Sequence, residues 1–108
     1  MNQPPRATAI DVVRDSAGAT VTVEGDLDLA SAPRVMDRTL PLLDPAGGEL
    51  TLDLTGVAFC DSSGITALIK LRQRCDQSGW RLRTVNLQPP VRRIVVDFGG
   101  LGEYLNVA

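Results

Sequence analysis

Asp61, Ser62 and Ser63, followed by Gly64, form the side-chain group in this sequence with the clearest chemical potential. Aspartate and serine are preferred at helix starts because their side-chain oxygens accept hydrogen bonds from the first amide groups, a contribution of about 0.5–2 kcal/mol. The same free amide donors also attract phosphate groups. Two interpretations therefore stand side by side. The group is a helix cap and nothing more, or it presents a serine that accepts a phosphate.

The position of this group along the chain favours a site. It follows the short apolar segment 57–60 and precedes a long segment of helical periodicity. In α/β folds, sites gather at the carboxyl ends of strands, where such loops lie. Gly64 in the first helical turn would leave the surface beside the serines open to a close neighbour. A phosphate at a helix start would be tolerated locally, so modification need not unfold the domain.

Several chemistries are excluded by composition. The chain has no histidine, which removes Ser-His-Asp and Cys-His catalysis, a phosphohistidine carrier and most metal sites. Cys60 and Cys75 are too few for a zinc site and are expected to be free, buried thiols. No cofactor is expected.

Charge and hydropathy limit the partners and the cellular location that we expect for this protein. The formal net charge of −2 gives no basic face of the kind that nucleic-acid-binding proteins carry. Apolar runs are too short for a membrane span, and no secretion signal is visible. We therefore expect a cytoplasmic protein without direct nucleic-acid or membrane contact. The sequence leaves self-association open.

The elements that must position the serines follow from periodicity. Apolar and polar residues alternate in four segments, which indicates strands: 6–15, 19–25, 49–54 and 80–85. Helical spacing appears in three segments: from Ser31 to about 43, from Asp61 to Ser78, and from Gln88 to Phe98.

Details within these helices can be checked against the structure. Pro41 should kink or loosen the last turn of the first helix. Phe98 should complete the apolar stripe of the third helix, together with Val91, Ile94 and Val95.

A hairpin followed by alternating helices and strands predicts an α/β fold: a mixed sheet of four to five strands with helices packed mainly on one face. A chain of 108 residues accommodates one domain, 1–108, whose ordered core we expect over about 6–105, after a loose start at residues 1–5.

Two motifs together resemble the STAS domain of bacterial anti-sigma factor antagonists. The segment EGDLDLASA at 24–32 is similar to that family's G-E-L-D-x-x-T/S-A loop, and FCDSSGITAL at 59–68 is similar to its D-S-S-G-L-x-x-L core. Order, spacing and apolar frame agree from about Arg6 to Leu105. Asp26 replaces the usual glutamate. Thr66 stands where many members have a second glycine, and could crowd the surface or compete as a hydroxyl.

The resemblance implies a partner switch. Members bind an anti-sigma factor with serine-kinase activity and so release the sigma factor that it holds. The kinase, which carries the ATP and magnesium, then phosphorylates the first serine after the aspartate, here Ser62, and binding is lost. A metal-dependent phosphatase of the protein phosphatase 2C type restores it. The resemblance places partner contacts at seven residues: Asp26, Asp28, Asp61, Ser62, Ser63, Gly64 and Thr66.

Alternatives remain from the sequence alone. Asp28 is equally well explained as a turn aspartate that caps local amides. The fold could also serve as an accessory or scaffold subunit of a transporter, lipid-trafficking or signalling complex without a phosphorylation switch. A small enzyme using Ser62 as nucleophile would lack the usual base, so we expect a non-enzymatic protein.

Overall fold

The computed structural model describes residues 8–108. The predicted loose start at residues 1–5 and the beginning of the first strand at Arg6 lie outside these residues. One sheet contains four strands in the order β1-β2-β3-β4. Their bounds are Ala9–Arg14, Gly18–Glu24, Gly48–Gly56 and Trp80–Val85. β1 and β2 pair antiparallel, and the β2-β3 and β3-β4 pairs are parallel, which confirms the predicted mixed sheet.

The two faces of the sheet differ because side chains alternate along each strand. On one face, Val21, Leu52 and Leu82 are buried in the single core cluster that the helices cover. The register continues the same division on the other face, where Thr20 lies opposite Thr51 and Thr51 opposite Arg83. Helices therefore pack on one face of the sheet, as predicted.

Helix α1 spans Ala32–Thr39, with Pro33 in its first turn, where the missing N–H of proline costs no internal hydrogen bond. The helix continues as a 3₁₀ turn over Leu40–Leu42. Pro41 lies inside this turn and cannot donate the hydrogen bond that an α-helix would need. The predicted loosening at Pro41 is confirmed.

Helix α2 spans Ser62–Ser78 and carries the serine group at its start. Gly64, Leu68, Leu71 and Cys75 are buried and form the inward stripe of this helix. Gly79 ends the helix with a φ of 74°, a left-handed conformation that glycine adopts without penalty.

The third helical segment differs from the prediction. Helix α3 spans only Pro89–Arg92, and a π-helical turn follows over Arg93–Phe98. Val91 and Val95 are fully buried, but Phe98 is 79% exposed. A π-helical turn bonds each carbonyl to the amide five residues on, so Phe98 rotates off the stripe that α-helical spacing assigned to it. The prediction that Phe98 joins this stripe is wrong.

Both cysteines and the tryptophan belong to the core cluster. Cys60 and Cys75 are free and buried. Burial is the main cause that raises the pKa of each thiol to about 11, with smaller contributions from the carboxylates of Asp61 and Asp76, respectively. Trp80 is buried, and its indole Nε1 donates to the Asp44 carbonyl at 2.7 Å. Within residues 8–108, none of the helices has the length and apolar character that a membrane crossing requires.

Candidate functional site

Asp61 is the residue that caps helix α2. Its backbone is extended, and its Oδ1 accepts hydrogen bonds from the amide of Ser63 at 2.9 Å and from that of Gly64 at 3.1 Å. The carboxylate satisfies two of the amide donors that a helix start leaves without partners. Asp61 therefore fixes the first turn of α2, in which both serines lie.

Ser62 is the first residue of this helix, and its side chain is exposed. Among residues 8–108, no hydrogen-bond partner is found for the Ser62 hydroxyl. The carboxylate of Asp61, and not this hydroxyl, accepts the capping hydrogen bonds of the helix. The backbone carbonyl of Ser62, by contrast, accepts a hydrogen bond at 2.9 Å from the Thr66 hydroxyl one turn later. The Ser62 hydroxyl thus lies on a capped helix start and is accessible from solvent.

The two sequence motifs are joined by backbone hydrogen bonds at Leu27. Its amide donates to the Phe59 carbonyl at 2.9 Å, and its carbonyl accepts from the Asp61 amide at 3.2 Å. Leu27 and Cys60 form an isolated parallel bridge beyond the ends of β2 and β3. The 24–32 loop consequently lies beside the start of α2, with Asp26 and Asp28 on either side of the bridging residue.

Asp28 and Ser31 organise this loop internally. Oδ1 of Asp28 accepts from the amides of Ala30 and Ser31, both at 3.0 Å. The Ser31 hydroxyl donates to the Asp26 carbonyl at 2.7 Å and accepts from the Asp28 amide at 3.0 Å. Asp28 therefore does act as a turn aspartate, whereas the Asp26 side chain is exposed.

Gly64 differs from its sequence interpretation. It is buried, and a Cβ at this position would lie 2.3 Å from the Leu27 carbonyl oxygen and 2.8 Å from Cys60 Sγ. Its close neighbour is thus the 24–32 loop of the same chain. Gly64 brings the two motifs together beneath the surface instead of keeping the surface itself open.

A groove of about 570 Å³ separates helices α1 and α2. Three of the predicted site residues, Ser62, Ser63 and Thr66, lie along its α2 side. The facing side is formed mainly by apolar residues: Leu29, Ala32, Pro33 and Met36. We call this feature the α1–α2 groove. An open, largely apolar concavity of this size is a candidate binding surface.

Charged residues lie both in the α1–α2 groove and on the two segments next to it. Asp26, Asp28 and Asp61 lie on the two hydrogen-bonded segments beside Ser62, while Lys70, the chain's single lysine, lies along the same groove as Asp37. The described residues contain no cluster of three or more histidine, cysteine or acidic side chains that could hold a metal ion.

The sequence profile of the family described as "Mlab, STAS domain" matches residues 10–103. The chain belongs to the STAS domain family. An anti-sigma-B factor antagonist of Bacillus subtilis (strain 168) is 25% identical to this chain over 99 residues, which cover 92% of this chain and 89% of that protein.

Solved structures share the STAS fold. An anti-sigma factor antagonist from Mycobacterium paratuberculosis superposes with a TM-score of 0.77 at 21% identity, covering 98% of this chain and 89% of that one. The Bacillus cell fate determinant SpoIIAA in its phosphorylated form superposes with a TM-score of 0.67 at 19% identity, covering 93% of this chain and 91% of that one. At these identities the likeness establishes the fold of the STAS domain.

Three residues at this STAS site were not singled out from the sequence as site residues. Leu27 joins the two motifs, Leu29 is 76% exposed at the edge of the groove, and Lys70 lies further along α2. The one signal for Leu29 was the presence of a leucine inside a turn-rich acidic loop. This signal was insufficient, because the spacing of apolar residues does not distinguish an exposed leucine from a buried one.

Proposed function

We propose that this STAS domain is an anti-sigma factor antagonist that binds an anti-sigma serine kinase, releases the sigma factor held by it, and is inactivated by phosphorylation of Ser62. The observation that carries the proposal is the exposed Ser62 hydroxyl on a helix start whose capping hydrogen bonds are made by Asp61. The anti-sigma factor antagonist relative from Bacillus subtilis supports the same assignment.

The choice of Ser62 over its neighbours rests on accessibility. Ser63 is only partly exposed, and Thr66 already donates its hydroxyl to the Ser62 carbonyl. Phosphorylating Thr66 would require breaking that hydrogen bond and turning the side chain away from the helix. Ser62 requires neither change, so we assign the modification to Ser62.

In the proposed reaction, the partner kinase supplies ATP and magnesium. The Ser62 oxygen attacks the γ-phosphorus, the bond to the β-phosphate oxygen breaks, and ADP leaves while the serine proton passes to a base of the kinase. A phosphatase of the protein phosphatase 2C type later hydrolyses the phosphoserine with water. This chain is the substrate of both the kinase and the phosphatase. We propose that both reactions take place in the cytoplasm.

The phosphate is compatible with folding but not with binding. At the first position of α2 it would lie near the positive end of the helix, which favours anions. It adds about −1.5 to −2 charges beside Asp26, Asp28 and Asp61. A 100-fold loss of affinity requires only about 2.7 kcal/mol, and leaving a charge unpaired in an interface costs on the order of several kcal/mol. One phosphate is therefore enough to end the interaction.

The test is a reconstitution with the purified anti-sigma kinase of the same organism. Phosphosite mapping after incubation with ATP should find the phosphate on Ser62, and binding titrations should show at least a 100-fold weaker interaction for the phosphorylated protein. Ser62→Ala should bind and resist inactivation. Ser63→Ala, the matched control on the adjacent hydroxyl, should be phosphorylated and inactivated like the unaltered protein.

Two results would contradict the proposal. A phosphate found only on Ser63 or Thr66 would move the site. Unchanged affinity after complete phosphorylation would remove the switch and leave the accessory or scaffold function as the better explanation of the fold.

A further inference from the structure

Leu29 is an exposed apolar side chain at the edge of the α1–α2 groove. It is 76% exposed, although leucine is among the residues most often buried in folded proteins. Its position is not a result of loop disorder, because the hydrogen bonds of Asp28 and Ser31 hold the backbone on both sides of it. The chain thus presents a leucine to solvent on a preorganised loop.

We propose that Leu29 is the side chain that anchors this chain to its kinase partner by entering an apolar pocket on that partner; this rests on the function proposed above. Interface energies concentrate in a few apolar or aromatic side chains that lose their water completely and are surrounded by a polar border. Leu29 has these surroundings. The apolar Ala32, Pro33 and Met36 continue from it along the groove.

The charges beside Leu29 indicate the chemistry of the partner surface. Asp26 and Asp28 precede Leu29 on the same loop, and Asp61 lies on the segment hydrogen-bonded to that loop. Charge complementarity requires cationic side chains around the partner's pocket, since like charges facing these carboxylates would oppose docking. The occupant that fits is therefore a protein surface with an apolar pocket bordered by lysine or arginine.

The same placement explains how Ser62 controls binding. Leu29 and Ser62 line the same groove, so we expect a partner that takes up Leu29 to lie close to Ser62 as well. A phosphate on Ser62 would then have to lose its water at an interface whose centre is apolar. Leu29 supplies affinity and makes the interface sensitive to the modification.

The experiment compares two equally exposed apolar residues. Phe98, at 79% exposure, lies outside the α1–α2 groove and provides the control for Leu29. We expect Leu29→Ala to weaken binding to the purified kinase about 10- to 100-fold, from the apolar area lost. Leu29→Met should retain affinity within a few-fold because the volume is conserved. Phe98→Ala should bind like the unaltered protein.

Kinetics distinguish docking from a general structural effect. In the phosphorylation reaction, Leu29→Ala should raise KM with little change in kcat, since the contact is made equally in the ground state and the transition state. Its thermal midpoint should stay unchanged because the side chain makes few contacts within the chain. Unchanged binding of Leu29→Ala, or a loss shared with Phe98→Ala, would overturn the anchor while leaving the Ser62 switch intact. Failure of the unaltered protein to bind the kinase would overturn both.

Discussion

Replacing Gly64 by alanine tests whether the two motifs are held together beneath the surface. The added Cβ would lie 2.3 Å from the Leu27 carbonyl oxygen, 2.8 Å from Cys60 Sγ and 2.9 Å from Leu27 Cγ. The nearest atom is backbone and cannot rotate away. The carbonyl would have to retreat by about 1 Å to reach ordinary contact at 3.4 Å. This movement would break its 3.2 Å hydrogen bond from the Asp61 amide, at the start of the helix that carries Ser62.

The expected cost of Gly64→Ala follows from three contributions. Overpacking costs about 1–3 kcal/mol, and the rigid neighbour places this site at the upper end. The lost hydrogen bond adds about 0.5–1.5 kcal/mol, while alanine regains about 0.5–1 kcal/mol over glycine inside a helix. We expect the free energy of unfolding to fall by about 2–4 kcal/mol. A change of this size lowers the melting temperature of a domain this small by roughly 10–25 °C.

Urea titration followed by tryptophan fluorescence measures this change, because Trp80 is the only tryptophan and is buried. Gly102→Ala is the matched control: its Cβ would meet side-chain atoms of Val96, with Cγ1 at 3.3 Å and Cγ2 at 3.7 Å, and no backbone atom. The control should stay within about 1 kcal/mol of the unaltered protein. If Gly64→Ala proved as stable as the control, the close packing of Gly64 against Leu27 would be refuted.

Three further outcomes follow from the same contacts. In urea titrations, Asp61→Ala should lower the free energy of unfolding by about 1–2 kcal/mol, because Asp61 accepts the capping hydrogen bonds of helix α2. Ser62→Ala should lower it by less than about 0.5 kcal/mol, and equal losses in the two variants would contradict this assignment. Both cysteines should resist a thiol reagent at pH 8 and react on unfolding, since burial raises the pKa of each to about 11; rapid labelling of the folded protein would count against it. Burial alone would raise the pKa of Asp53, but hydrogen bonds from Thr55 and Asn86 outweigh this effect and lower that pKa below 3.8. The stability that the Asp53 carboxylate contributes should therefore be present above its ordinary pKa and be lost as the pH falls below it. An Asp53→Asn variant whose stability depends on acid pH in the same way would contradict this prediction.

The sequence by itself determined the order of the strands and helices and which face of each of them is apolar. Alternation in 80–85 and helical spacing from Asp61 to Ser78 depend on local residue types, and the structure has strand β4 and helix α2 at the matching bounds. The free, buried cysteines were predicted for the same reason: burial of small apolar groups is a property that residue type largely sets.

What tertiary structure alone decided is how distant segments meet. Phe98 follows the apolar spacing of the third helix, yet a π-helical turn directs it into solvent, an outcome that no local period encodes. Gly64 became a packing residue because the carbonyl that excludes its Cβ belongs to Leu27, thirty-seven positions earlier in the chain. The candidate site depends on that contact, since the Leu27 bridge sets the Asp26–Leu29 loop beside Ser62, and such a meeting arises only from the pairing of segments far apart in sequence.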